Sequence, residues 1–276
     1  MKYQKNIITL IITYNPEIEF LKKNLEKFNQ SDILIVDNHS NNIEEITLLN
    51  NNNNVIVKQN NINLGIAEAL NQGLKYAKEN NYQYILTMDQ DSSFKNDYTK
   101  LIDGFNYTNN VAIVCPSIVD VNSNNQEIAQ NKYEELFIAI TSGCLCNVKI
   151  LNSIGGFDSK LFIDYVDYDI CLKLQEQNYK IVRARDVILN HSLGESKIYK
   201  FSGIKFISTN HSALRRYYNA RNRVYLALRY KSIFPKFVVH NQLSFYKTIL
   251  IILLFEEDKF QKIKSIYKGI VDAFKM

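Results

Sequence analysis

The chain has 276 residues, 46% of them hydrophobic and 22% charged, a globular composition that excludes a disordered or fibrous chain. Its formal net charge is +5, but the excess is local: from Phe201 onward there are 14 basic and four acidic residues, so an acidic body carries a basic C-terminal region. That asymmetry points to an anionic partner near the C-terminus.

Four cysteines, Cys115, Cys144, Cys146 and Cys171, are too few for a disulfide scaffold in a chain of this length. Cys144 and Cys146 also lack C-x-x-C zinc spacing, and a reducing compartment is the simpler reading.

Lys2 and Lys5 precede the apolar run Ile7 to Ile12, which is short and ends in Thr13-Tyr14-Asn15-Pro16 with no cleavage site; it reads as a buried strand, not a signal peptide. Strands are expected at Ile7 to Thr13, Ile33 to Val36, Val55 to Lys58, Tyr84 to Met88 and Val111 to Cys115. The asparagine run at 50–54 reads as a solvent loop. From Ile66 to Asn80, the residues Ile66, Ala69, Leu70, Gly73, Leu74 and Ala77 recur at helical spacing and mark the crossover helix of a β-α-β unit.

A strand-like Ile140 to Cys146 follows, then a helix from about Val148 with Gly155 as its C-cap, an acidic helix start near Asp167, and a strand at Val187 to Leu189. Ser212 to Tyr230 is basic and aromatic, and two helices are expected after Pro235, at about Leu243 to Phe255 and Lys259 to Phe274. The longest apolar run, Ile249 to Phe255, is far short of the roughly 20 residues that span a bilayer. A soluble or surface-bound protein is expected.

In an open parallel sheet, ligands bind beyond the carboxyl ends of the strands. Here those ends read Thr13-Tyr14-Asn15, Asp37-Asn38-His39-Ser40, Asn60 to Gly65 and Asp89-Gln90-Asp91-Ser92. Taken singly, such residues are also ordinary turn formers and caps. Asp89 and Asp91 offer two carboxylates to a hard divalent cation, and Mg²⁺ or Mn²⁺ holding a diphosphate fits that chemistry. The cluster Asp164-Tyr165-Val166-Asp167-Tyr168-Asp169 is either an acidic first helical turn or a general base tuned by aromatic neighbours. His191 is either a hydrogen-bonded structural group or, beside a metal, a ligand. The P-loop, dinucleotide, zincin and nucleophile-elbow motifs are absent from the sequence.

The ordered series Thr13-Tyr14-Asn15, Val36 to Ser40, Asn60-x-x-Asn63-Leu64-Gly65, Asp89-Gln90-Asp91-Ser92, Ser142-Gly143, Gly155-Gly156-Phe157-Asp158 and Asp167-x-Asp169-x-Cys171-x-Lys173 resembles the inverting glycosyltransferases of family two. The variants Asp89-Gln90-Asp91-Ser92 and Phe162 to Asp167 look most like its rhamnosyltransferase branch, which uses dTDP-L-rhamnose. The resemblance implies an α/β fold of GT-A type, a mostly parallel central sheet with flanking helices plus a C-terminal helical extension. Its implied domains are a transferase domain over 1–230, with a nucleotide-sugar half to about 115 and an acceptor half over 116–230, and the extension over 231–276.

By the same resemblance, Thr13, Asn15, Asp37, Asn63, Gly65, Asp89, Gly143 and Arg221 would bind the donor. Asp91, with Asp89 and His191, would hold Mg²⁺ or Mn²⁺. Asp167 matches the usual base; Val166 replaces the family's preceding Glu, which leaves Asp164 as a competing base. The implied partners are a nucleotide sugar and a glycan or lipid-linked acceptor, without nucleic acid, in the cytoplasm. The basic helices read either as a peripheral contact with the inner face of the membrane or as packing on the core or in a homodimer. A UDP-sugar donor, or a degenerate binding module suggested by Val166, are the alternatives. A nucleotidyltransferase is disfavoured because Asn15-Pro16-Glu17 stands where its glycine-rich basic loop would be.

Overall fold

The computed structural model describes residues 6–28, 30–51, 54–120, 131–191, 197–201 and 204–276. Lys2, Lys5, the centre of the asparagine run at 50–54 and the segment 192–194 lie outside them. The chain divides into two compact units, Met1–Ser159 with Asp167–Ser192, and Lys160–Val166 with Leu193–Met276.

In the first unit, β1 (Ile7–Thr13), α1 (Ile18–Leu25), β2 (Asp32–Asp37), α2 (Ile43–Leu48), β3 (Val55–Gln59), α3 (Ile66–Glu79) and β4 (Tyr84–Asp89) alternate. They are followed by β5 (Ser93–Phe94), a 3-10 helix (Tyr98–Asn106), β6 (Val111–Asp120), β7 (Tyr133–Leu136), β8 (Cys144–Asn147), α4 (Val148–Ser153), α5 (Val166–Glu176) and β9 (Lys180–His191). Among the described residues the strands form one sheet in the order β3-β2-β1-β4-β8-β6-β9-β5, with β7 on β9. The pairs β3·β2, β2·β1, β1·β4 and β6·β9 are parallel; β8 runs antiparallel between β4 and β6.

The first strand is buried at all but one position, which is why its sequence is a continuous β-branched run and not an alternation. Helix α3 buries Ala67, Leu70, Gly73, Leu74 and Ala77. It approaches β1 so closely that a Cβ on Gly73 would stand 2.3 Å from Leu10 Cδ2. On the other face, the rings of Phe28, Phe94 and Tyr98 pack with centroids 5.3, 5.6 and 6.3 Å apart. Each fully buried Leu, Ile or Phe of this core contributes about 1.5–3 kcal/mol.

The strand order has one consequence for function. The chain moves outward from β1 to β2 and β3, then crosses back to lay β4 on the other side of β1. Such a switch point opens a crevice at the carboxyl ends of the two central strands. Thr13 ends β1 and Asp89 ends β4, with Ile12 in register with Asp89.

The second unit contains the hairpin of β10 (Lys197–Phe201) and β11 (Ile204–Ser208), and helices α6 (Ala213–Tyr230), α7 (Pro235–Phe255) and α8 (Lys259–Ala273). Ala220, Phe245, Ile252 and Ile266 form its apolar centre. Beside it lies a buried ionic knot: Glu256 accepts from Arg216 at 2.5 Å, Ser208 at 2.7 Å and Lys262 at 3.0 Å. Burial alone would raise the Glu256 carboxyl, but the bonds from Ser208 and Lys262 and the charges of Arg216 and Lys262 prevail and lower it.

Helix α7 corrects two expectations. It starts at Pro235, eight residues before the expected Leu243, because proline fits a first helical turn where its missing N–H has no partner to lose. At 21 residues, with a mean hydropathy of 1.4 over its most apolar window, it is by length and composition able to cross a membrane, contrary to the expectation that no stretch approaches that length. Only 17% of that window is buried.

Candidate functional site

At the end of β1, Thr13 and Asp37 are both fully buried, and Thr13 Oγ1 donates to Asp37 Oδ1 at 2.9 Å. Asp37 also accepts from the Ser40 hydroxyl and, at 2.9 Å, from the Ser40 amide. Ser40 Oγ in turn accepts from the Asn15 amide at 2.8 Å, and Asn15 Oδ1 accepts from the Asn41 amide. A buried carboxylate is thus satisfied by neutral donors, and it ties the loop after β2 to the loop after β1.

A second tier joins the third loop. Asn38 donates to the Gly65 carbonyl at 3.1 Å and accepts from Asn60 at 3.0 Å, while Asn63 Oδ1 accepts from the Gly65 amide at 2.9 Å. Asparagine suits these positions because one side chain offers both donor and acceptor to the backbone.

After β4, Gln90 spans to the end of β1, accepting from the Tyr14 amide at 2.8 Å and donating to its carbonyl at 3.3 Å. The two flanking carboxylates meet the end of β9: Asp89, Asp91 and His191 each offer a ligand atom, all within 4.8 Å of one another. His191 Nδ1 is 2.6 Å from the hydroxyl of the fully buried Ser92, which leaves Nε2 for a ligand. Ser92 is braced by Asn24, whose amide donates to the Ser92 carbonyl at 2.6 Å. Two carboxylates and one imidazole suit a hard divalent cation such as Mg²⁺ or Mn²⁺.

The turn before β8 lies alongside. Gly143 has φ +76 and donates to the Thr87 carbonyl, and Ser142 Oγ accepts from the Asp89 amide at 3.2 Å. Thr141 donates to Asp167 Oδ1 from its hydroxyl at 2.8 Å and its amide at 3.2 Å. Asp167 therefore sits in the first turn of α5 with its carboxylate oriented by the chain that carries Ser142 to Asp89. Two residues on, the fully buried Asp169 pairs with Lys173 at 3.1 Å, an ion pair within the helix.

Asp164 and Arg221 belong to the second unit. Arg215 grips Asp164 with three hydrogen bonds of 3.1, 3.3 and 3.4 Å. Asp164 and Tyr165 both hold positive φ, +62 and +67, and the fully buried Asn222 supports them by donating to the carbonyls of Ile163 and Asp164. Arg221 donates to the Lys160 carbonyl at 2.7 Å and to Asn222 Oδ1 at 2.9 Å, and lies over the Tyr218 ring.

The structure thus gathers Asp89, Asp91 and His191 into one cluster and links Thr13, Asn15 and Asp37 in another; Asn63 and Gly65 meet in the third loop. Asn24, Thr141 and Arg215 play parts that the sequence did not signal, since their partners stand 68, 26 and 51 positions away. A cavity of about 520 Å³ in the first unit, lined by Asn71, Lys75, Lys78 and Gly156, holds none of these groups.

Comparison with known proteins agrees with this arrangement. The family model described as glycosyl transferase family 2 matches residues 9–158. A dTDP-rhamnosyl transferase of Shigella flexneri, RfbF, is 28% identical, with 81% of this chain and 80% of that protein covered. Among solved structures, S. aureus TarS 1-349 superposes with a TM-score of 0.64 at 14% identity, over 97% of this chain and 80% of that one. Its complex with UDP-GlcNAc gives 0.63 at 17% identity, over 97% and 81%. GalNAc-T7 with UDP, GalNAc and Mn²⁺ gives 0.61 at 13% identity; 82% of this chain matches 48% of that one, so this chain spans about half its length. At these identities the structural likeness establishes the fold, which is of the expected GT-A type with C-terminal helices.

Proposed function

We propose that this chain, which belongs to glycosyl transferase family 2, moves L-rhamnose from dTDP-L-rhamnose to a hydroxyl of a cell-surface polysaccharide or lipid-linked glycan, inverting the anomeric carbon. The observation that carries this reading is the Asp89, Asp91 and His191 cluster at the switch point between β1 and β4. The likeness to the Shigella flexneri enzyme supports rhamnose. The complex of TarS with UDP-GlcNAc supports the alternative of a UDP-sugar.

In this reading, residues up to about 115 bind the donor. Thr13, Asn15 and Asp37 shape the nucleoside end, with Asn63 and Gly65 beside them. Asp89, Asp91 and His191 would hold Mg²⁺ or Mn²⁺, which supplies positive charge to the donor diphosphate. Gly143 keeps the turn next to Asp89 close to the sheet, and by the family resemblance Arg221 would supply a further cation for the donor.

Asp167 acts as the base. Its carboxylate takes the proton of the acceptor hydroxyl as that oxygen bonds to the anomeric carbon, and the bond to the diphosphate oxygen breaks with its electron pair leaving on the nucleotide. Thr141 orients the carboxylate for this task. We assign the proton to Asp167 and not Asp164 because Arg215 already engages Asp164 through both oxygens. A nucleotide-sugar donor and four buried free cysteines support a cytoplasmic location.

Calorimetric titration with dTDP and UDP, each with Mn²⁺ and with EDTA, tests the reading. Metal-dependent binding that favours dTDP is expected. Tighter UDP binding would keep the chemistry and change the sugar, and no nucleotide binding at all would overturn the transfer reading.

A further inference from the structure

Helix α7 buries Phe245 and Ile252 against α6 and α8, and Arg223 fixes it by donating to the Asn241 carbonyl and lying over the Phe245 ring at 4.8 Å. The opposite side is apolar and open. Val239, Leu243, Tyr246, Leu250, Leu253 and Leu254 are 49–68% exposed. Their spacing of four, three, four and three, with Leu254 adjoining, places them on one band about 100° wide. Exposed Lys236 and Lys247, eleven residues apart, follow one edge of this band, and α7 contains no Asp or Glu.

From this we infer that α7 is an interfacial helix that lies flat on an anionic lipid surface, its apolar band in the acyl boundary and its lysines at the headgroups. The inference is independent of the transfer reading. Three observations select this occupant. The band is apolar enough for lipid, yet the far side of the helix is committed to α6 and α8, so the helix cannot be surrounded by lipid as a span must be. A second copy would set Lys236 and Lys247 against their own counterparts with no acidic residue on α7 to pair them, whereas an anionic surface complements them. Finally, at the N-terminal end of the band the exposed Lys236 and His240 stand beside the exposed Val239 and Leu243, setting polar groups next to apolar ones as a lipid headgroup and its first methylenes require.

The test is co-sedimentation of the purified full chain with vesicles of phosphatidylcholine alone and of phosphatidylcholine with an equal part of phosphatidylglycerol. Binding to the anionic vesicles is expected, with little to the neutral ones. Lys236→Glu and Lys247→Glu should each weaken it by about five-fold, and Leu243→Glu with Leu250→Glu should abolish it. Because these side chains are exposed, the variants should keep the wild-type circular dichroism; the lysine variants serve if the leucine pair does not. An alkaline carbonate wash should release the bound protein, as a flat helix allows and a span does not. Failure of the folded wild type to bind anionic vesicles would overturn the inference. So would retention through the carbonate wash, or a dimer seen by light scattering that the Leu243→Glu change dissociates while vesicle binding is absent.

Discussion

Ser92 Oγ stands 2.6 Å from His191 Nδ1, joining the loop after β4 to the end of β9. The serine is fully buried, so this bond fixes which imidazole nitrogen faces Asp89 and Asp91. Loss of such a supporting partner costs about 10–100-fold in metal affinity. Ser92→Ala is therefore expected to weaken Mn²⁺-dependent nucleotide binding by about that factor while leaving metal-free binding unchanged, as titration with and without EDTA would read. Equal affinities in the two proteins would remove Ser92 from the site.

A general base contributes about 10²–10⁴ in rate. Asp167→Asn should lower kcat by that order with nucleotide affinity nearly intact, and Thr141→Val should lower kcat by a smaller factor, because it leaves the carboxylate in place but removes the hydroxyl that orients it. Steady-state kinetics on both variants would check this. Full activity in Asp167→Asn would move the base to Asp164.

Gly143 is a place where backbone conformation and close neighbours both disfavour any other residue. Its φ is +76, and a Cβ there would lie 2.9 Å from Leu189 Cδ2 and 3.0 Å from Pro116 Cγ. Gly143→Ala should cost about 1–3 kcal/mol in stability, measurable by urea denaturation. A variant of unchanged stability with weakened donor binding would show that the position serves the ligand alone.

Burial, helped by the neighbouring charges of Arg215 and Arg216, lowers His211 from 6.5 to about 4. The unfolded chain therefore takes up a proton at His211 as pH falls through 6.5, while the folded chain stays neutral there until about pH 4. Folding stability should fall across that window and level off below it. His211→Gln should flatten this part of a denaturation series over pH. An unchanged slope would assign the loss to other groups.

All four cysteines are free and buried. Burial pushes the Cys146 thiol up to about 12 and also raises Cys171, and a bond from Cys115 together with burial raises Cys144. The native protein should leave them unreacted with a thiol reagent that titrates all four once denaturant is added. Rapid reaction in the native state would contradict the packing.

The parallel half of the sheet is legible in the chain because buried parallel strands are continuous β-branched runs. Ile7 to Thr13 coincides with β1; β3 and β4 run one residue past the expected end, and β2 is longer by one residue at each end. Val111 to Cys115 reads short because β6 continues to Asp120 with shifts of register against β9, which no local pattern announces. The antiparallel strand β7 has only four residues, none of them fully buried, and carries too little apolar signal to be read. Helix α7 reads short at its start because Pro235 is taken as a boundary, although it occupies the first turn.

The site divides in the same way. By itself the sequence determined which residues end the strands, since Thr13, Asp37 and Asp89 directly follow or close apolar runs that only a buried strand explains. It also determined the order of the motifs and the abrupt change from an acidic body to a basic end. Only the tertiary structure decided that β4 lies against β1 and that β5, just after the Asp89 to Asp91 loop, pairs with the end of β9, which brings His191 to two aspartates about a hundred positions earlier. It alone decided that Asp167 answers to Thr141 and Asp164 to Arg215, and that one face of α7 stays open. The reason is physical: strand and helix periodicity are local properties of a few residues, whereas strand order and side-chain pairing are fixed by how whole elements bury their surfaces against one another.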